Sequence, residues 1–396
     1  MLVKIYFNLQ NSLVKSNPNF LLAICFFLFV SYYLLNFENY NNLYSNDFYL
    51  RYKQNGIIII NQIINFDFIN INVLNNFFIP ELITGILLKI FSDDLSFSIA
   101  SNFLNIILLF LSFYFFFKSL NYKNNLIFLI FLLIFFLYKA NWIWCFRKLP
   151  DIYFLFIFSI IFFFTCKGIK QKKSLYIFIS LIFCILSLFV RPQGYLNILF
   201  LIYGYSLFKF ENKINLFRLS FILFLIYVIF FPFLTFLIIK IDSLNIFKSI
   251  IRFMETGKIN GLIYYNLEMF KTQFSLPKNN LSELLFYYYL FIKKLIYLFT
   301  FIRDHYSTNH NFFLVFYVLN IYFFLIINFK KLYKENKIFF ELTFFITLLS
   351  VLFHASLIIG SEPNRYQLFH LTPLYILVSL SINEIFIKKL KSFRYN

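Results

Sequence analysis

The residues equipped for chemistry fall in four short polar stretches. The first is Tyr44-Ser45-Asn46-Asp47-Phe48-Tyr49-Leu50-Arg51-Tyr52, after the first apolar run. The second is Trp142-Ile143-Trp144-Cys145-Phe146-Arg147-Lys148-Leu149-Pro150-Asp151. The third is Arg191-Pro192-Gln193-Gly194, and the fourth is Glu362-Pro363-Asn364-Arg365-Tyr366, with His370 a turn further on. A carboxylate within hydrogen-bond reach of a hydroxyl acts as a general base. Asp47 offers that chemistry, with Asp151 as a second acid. Arginine holds phosphate through a planar two-pronged donor face, which makes Arg191 and Arg365 the expected phosphate holders. Asn46, Gln193, Glu362, Tyr366 and His370 complete the candidate pocket.

Each of these residues also has a plainer reading. Asp47 can be a solvated loop acid. Asp151 can simply favour a helix N-terminus. Arg191 can snorkel at a membrane interface before a Pro-Gly turn, and Arg365 can pair with Glu362. Trp142 and Trp144 are expected in an interface belt. His305 and His310 stand five apart in a polar segment and are not expected to share a ligand.

The elements that must position these residues are membrane helices. Apolar residues make up 61% of the 396 and charged residues 13%, against about 25% charged in soluble domains. Phe alone contributes 65 residues. A coding bias explains such a number, so single Phe, Asn or Lys positions carry no weight. The fold class is therefore all-α, a polytopic integral membrane protein forming one domain over 1–396. No barrel-like alternation competes with the helical reading.

About ten transmembrane helices are predicted, over 19–36, 96–117, 124–141, 151–166, 174–190, 194–209, 217–239, 312–329, 338–358 and 370–387. Two long non-cytoplasmic segments, 37–95 and 240–311, carry interfacial helices: amphipathic pieces near Gly56–Ile64 and Phe77–Phe91, and Leu284–Phe301. The last has Lys293-Lys294 at its middle, a costly place for charge in a bilayer. Were it to span, the final helices would invert.

The formal net charge is +19. The Lys and Arg residues crowd the short segments on one side, which predicts that both termini are cytoplasmic. That placement explains the charge without nucleic acid, for which no motif is present. An uncleaved first helix and this charge bias fit a bacterial inner membrane, though an endoplasmic reticulum obeys the same physics. Cys25, Cys145, Cys166 and Cys184 lie in or beside apolar runs with no CxxC, so neither a disulfide framework nor a zinc knuckle is expected. No HExxH joins the four histidines, so the sequence predicts no metal site. The predicted span centres are almost free of charge, which argues against an ion-coupled transporter or pump. All four polar stretches then fall on the non-cytoplasmic face.

This arrangement resembles the membrane glycosyltransferases of the GT-C superfamily, which include the protein O-mannosyltransferases and the aminoarabinose transferases of lipid A. The resemblance covers most of the chain. It rests on Asn46-Asp47-Phe48-Tyr49 after the first helix and on Phe78-Ile79-Pro80 opening an interfacial helix. It rests also on Leu149-Pro150-Asp151, Arg191-Pro192-Gln193-Gly194, and Glu362-Pro363-Asn364-Arg365-Tyr366 followed by Pro373.

The resemblance implies inverting transfer of a sugar from a polyprenyl-phosphate donor to a glycan, lipid or protein acceptor. It implies Asp47 as catalytic acid-base residue and Asp151 as a second cavity acid. Arg191 and Arg365 match phosphate holders by position. No obligatory cofactor is implied; some members use a divalent metal for the phosphate, and here a single first-loop acid would meet it. The chain departs from the family pattern where Asn46 replaces a second acid and Ile79 replaces a charged or histidine residue before the proline. Two rival classes remain: another protein handling lipid-linked polysaccharide (polymerase, ligase or flippase), and a non-catalytic scaffold or transporter.

Overall fold

The structure is a computed structural model. It describes residues 18–41, 52–67, 77–120, 125–148, 150–191, 193–210, 216–241, 280–300, 307–356 and 363–395. Among the described residues the chain is helical, with no strand. The order is α1 (Pro18–Leu35), α2 (Phe37–Asn41), α3 (Gln54–Ile64), α4 (Phe78–Ile90), α5 (Asp94–Leu120) and α6 (Asn125–Leu137). Two 3₁₀ turns, Lys139–Asn141 and Ile143–Phe146, lead to α7 (Asp151–Gln171), α8 (Ser174–Leu188) and α9 (Gly194–Phe210). Then come α10 (Leu216–Ile241), α11 (Asn280–Thr300), α12 (Thr308–Ile327), α13 (Phe329–Glu335), α14 (Lys337–Ser356) and α15 (Pro363–Tyr395).

Each of the ten predicted ranges overlaps a helix among the described residues, although 124–141 runs past the end of α6 at Leu137. Among the described residues five stretches are long and apolar enough to cross a membrane: Asp94–Leu120, Asp151–Gln171, Thr308–Ile327, Lys337–Ala355 and Leu368–Phe386. Four more apolar helices are shorter, over Phe20–Leu35, Asn125–Leu137, Ser174–Leu188 and Phe217–Phe233. With large exposed side chains such as Phe27, Leu28, Leu133 and Ile326, these helices identify an integral membrane protein. The three amphipathic pieces are also helical, as α3, α4 and α11.

The chain forms two compact units. Unit 1 comprises Met1–Lys209, Phe324–Thr343 and Leu368–Asn396. Its centre is α7 together with the Leu368–Phe386 stretch of α15, 78% and 83% enclosed respectively. α7 begins after Pro150, has Asp151 in its first turn, and stops where Lys172 turns left-handed at φ 55°. The rings of α7 mesh with every neighbour. Phe116 of α5 lies 5.4 Å from Phe162, Phe200 of α9 lies 5.3 Å from Phe158, and Phe369 of α15 lies 5.1 Å from Phe154. Thr165 also donates to Ser180 of α8 at 3.1 Å. Such close aromatic packing adds about 0.5–1.5 kcal/mol per pair beyond area burial.

Unit 2 comprises Phe210–Phe323 and Phe344–Gln367. Its core joins Phe291, Leu295 and Leu298 of α11 to Val351 and Ala355 of α14, rimmed by Tyr227, Val228 and Phe231 of α10. Pro232 interrupts the hydrogen-bond ladder inside α10. Beside that break, the Tyr288 hydroxyl donates to the Ile229 carbonyl at 2.5 Å.

Candidate functional site

The site is built at the head of α7. Arg191, three residues past α8, donates through Nη1 to Asp151 Oδ1, and their side chains are 6% and 1% exposed. The turn that presents Arg191 is closed by its own backbone. Arg191 N–H donates to the Ser187 carbonyl at 3.3 Å, and Gly194 N–H donates to the Arg191 carbonyl at 2.9 Å. Only glycine fits at 194, since a Cβ there would stand 2.6 Å from the Ser187 oxygen. Gln193 is buried in the same turn.

This ion pair ties the α8–α9 turn to α7. The Asp151 carboxylate gains from both the guanidinium and the positive helix N-terminus. A guanidinium carries five N–H donors in a planar fork. An arginine can therefore hold a carboxylate at one edge and an anionic oxygen at another.

A second element docks on the same turn. The Ile79 N–H at the start of α4 donates to the Phe189 carbonyl at 3.0 Å, two residues before Arg191. α4 is held in turn by α3 at a glycine crossing. A Cβ on Gly85 would sit 2.2 Å from the Gly56 oxygen, and one on Gly56 would sit 2.6 Å from the Glu81 oxygen. Beside the crossing, Asn55 Nδ2 donates to Glu81 Oε1 at 3.0 Å. Glu81 is buried in the first turn of α4. The sequence did not single out this buried acid, because its partner Asn55 lies 26 residues away in another helix.

The connector before α7 is not a lipid-facing belt. Trp142 and Trp144 are both buried. Trp142 meets the rings of Phe29, Tyr32 and Tyr40 edge-on, at 5.9, 5.8 and 6.1 Å. Phe146 stacks on Tyr40 at 4.6 Å and on Tyr33 at 5.2 Å. The expected belt is corrected on this ground: α1 and α2 supply enough aromatic surface to enclose the connector. Asn105 Nδ2 of α5 donates to the Cys145 carbonyl at 2.9 Å and fixes its height. Burial pushes the Cys145 thiol well above its ordinary range, so it is no nucleophile. Lys148 is buried with a left-handed φ of 49°, and burial pulls its ammonium down to about 7.

Asp151, Arg191 and Gln193 thus gather at the head of α7. His370 is buried on α15 next to Phe369, which packs on Phe154 and Phe158, one and two turns along α7 from Asp151. Asn46, Asp47, Glu362 and His305 lie outside the described residues. Arg365 and Tyr366 stand in the first turn of α15, in unit 2, with their side chains outside the described set. His310 is exposed on α12. Among the described residues no group of three or more His, Cys, Asp or Glu gathers to hold a metal ion. Comparison with protein-family models, curated proteins and solved structures returns no match to this chain.

Proposed function

We propose that this protein is a membrane glycosyltransferase of the GT-C type. It moves a sugar from a polyprenyl-phosphate donor to a glycan, lipid or protein acceptor on the non-cytoplasmic face, with inversion. The observation that carries the reading is the convergence at the head of α7. Three motifs far apart in sequence meet there: Asp151, the Arg191 turn, and the α4 start at Phe78-Ile79-Pro80. The reading includes ten membrane crossings, both termini in the cytoplasm, and a bacterial inner membrane.

In this mechanism Asp47 takes the proton from the acceptor hydroxyl. The acceptor oxygen attacks the anomeric carbon from the face opposite the phosphate. The bond between that carbon and the phosphate oxygen breaks, and its electron pair leaves with the lipid phosphate. A phosphate leaves readily, so no strong acid is needed at the leaving oxygen. Arg191 offsets the charge that grows there, while Asp151 holds the Arg191 fork in place.

The test is transfer of labelled sugar in membranes containing equal amounts of inserted protein. Asp47→Asn should insert normally and lose about 10²–10⁴-fold in transfer. Wild-type turnover in that variant removes the assignment. Transfer only from a diphosphate-linked oligosaccharide would instead favour a polymerase or ligase.

A further inference from the structure

Asn197 lies in the first turn of α9, three residues past Gly194, directly after the turn that carries Arg191. It is 0% exposed, and neither Nδ2 nor Oδ1 has a hydrogen-bond partner. Its main-chain oxygen is satisfied, accepting from the Cys184 thiol at 3.3 Å. The buried amides of α5 differ at the donor end: Asn102 donates to the Tyr33 hydroxyl and Asn105 to the Cys145 carbonyl, while their Oδ1 atoms have no partner. An interior that leaves both ends of an amide unsatisfied calls for an explanation, because a leucine of similar size would pack there without that cost.

α9 runs beside α7, with Gly204 against Thr165 and Phe200 against Phe158 and Phe162. Asn197 stands three residues, about one turn, before Phe200 on α9. A carboxamide offers one donor edge and one acceptor edge side by side. Two neighbouring hydroxyls on a sugar ring match that pair, since each hydroxyl both donates and accepts.

We infer that Asn197 is the sugar-reading residue of the donor site, in the first turn of α9 after the phosphate-holding Arg191. This inference rests on the transferase reading above.

The experiment measures thermal stabilisation of the purified full-length protein. The probes are decaprenyl phosphate alone and decaprenyl phosphate bearing arabinose, glucose, mannose or galactose. Wild type should gain more from at least one sugar-bearing lipid than from the bare lipid. Asn197→Leu should keep the bare-lipid shift, show an unchanged or raised Tm without ligand, and bind the sugar-bearing lipid about tenfold or more weakly. Should the leucine variant misfold, Asn197→Ala makes the same comparison. A variant that keeps the full sugar-dependent gain overturns the inference and leaves a buried water as the amide's partner. A wild type that responds equally to bare and sugar-bearing lipids overturns it too, while the lipid-phosphate site stands. A wild type that responds to no lipid removes the transferase reading and this inference with it.

Discussion

Two ion pairs of unit 1 share their chemistry but not their surroundings. Arg191–Asp151 at the head of α7 is 6% and 1% exposed, whereas Lys331–Glu384, joining α13 to α15, is 37% and 13% exposed. Water around Lys331 screens the attraction and can replace either partner, so such pairs contribute roughly 0–1 kcal/mol. At the buried pair neither charge has that alternative. Its loss is asymmetric: removing both charges is tolerable, but removing one strands the other. The chain thus spends a residue type that is rare in its interior where two of its polar stretches meet beside the start of α4.

The largest effect should come from breaking that asymmetry. Asp151→Ala is expected to destabilise the protein by about 3–5 kcal/mol, because Arg191 is left charged and buried. Asp151→Leu combined with Arg191→Met should recover most of this in thermal or denaturant unfolding. Sugar transfer should remain lost in the double variant. A double variant that is both stable and active would strip the pair of its role with the donor phosphate.

Next in size is the glycine crossing that positions α4. A methyl on Gly85 meets Gly56 backbone at 2.2 Å, whereas one on Gly168 meets the movable Ile177 side chain at 2.8 Å. Gly85→Ala should therefore cost about 1–3 kcal/mol and weaken donor use, as overpacking forces α4 off the Phe189 carbonyl. Gly168→Ala should cost clearly less and leave donor use alone. Equal costs would mean that the two crossings are equally rigid.

Lys148 tests the buried end through pH. Its folded-state pKa, about 7, lies below the ordinary lysine value of 10.5 because burial disfavours the ammonium. Between those values the unfolded chain binds more protons than the folded one. Stability should therefore rise with pH from about 7 toward 10.5 and be flat in this term below 7. Lys148→Met should raise Tm at pH 7 and flatten that rise. An unchanged Tm–pH curve would mean that the ammonium stays well solvated.

How much of this was legible in the sequence follows from range. The helices were legible because each apolar run reports on itself; every one of the ten ranges overlaps a helix among the described residues. Their ends were less so: α6 stops at Leu137, where Tyr138 turns extended and Asn141 folds back to donate to the Phe135 carbonyl. The burial of Trp142 and Trp144 was not legible, since the rings that enclose Trp142 come from α1 and α2, about a hundred positions earlier. Asp151 and Arg191 were each singled out, yet as separate acid and phosphate holder. Nothing in either stretch announces a partner 40 residues away. Asn197 was passed over because a lone Asn in an Asn-rich chain carries no signal until its surroundings are known.

The smallest expected effect returns to the exposed pair. Hydrogen bonding to Glu384 is the first cause that raises the Lys331 pKa, with a smaller share from Glu335, an i,i+4 neighbour at 3.6 Å. A raised lysine pKa stabilises the fold below the ordinary value of 10.5, and the contribution fades as pH climbs through the folded-state value. Glu384→Gln should therefore cost under about 1 kcal/mol at neutral pH, and less in high salt, where screening acts on the wild-type pair. The difference from wild type should vanish in strongly alkaline solution. A cost at neutral pH matching that of Asp151→Ala would show that exposure does not separate the two pairs, and the argument for a special pair at the head of α7 would lose its contrast.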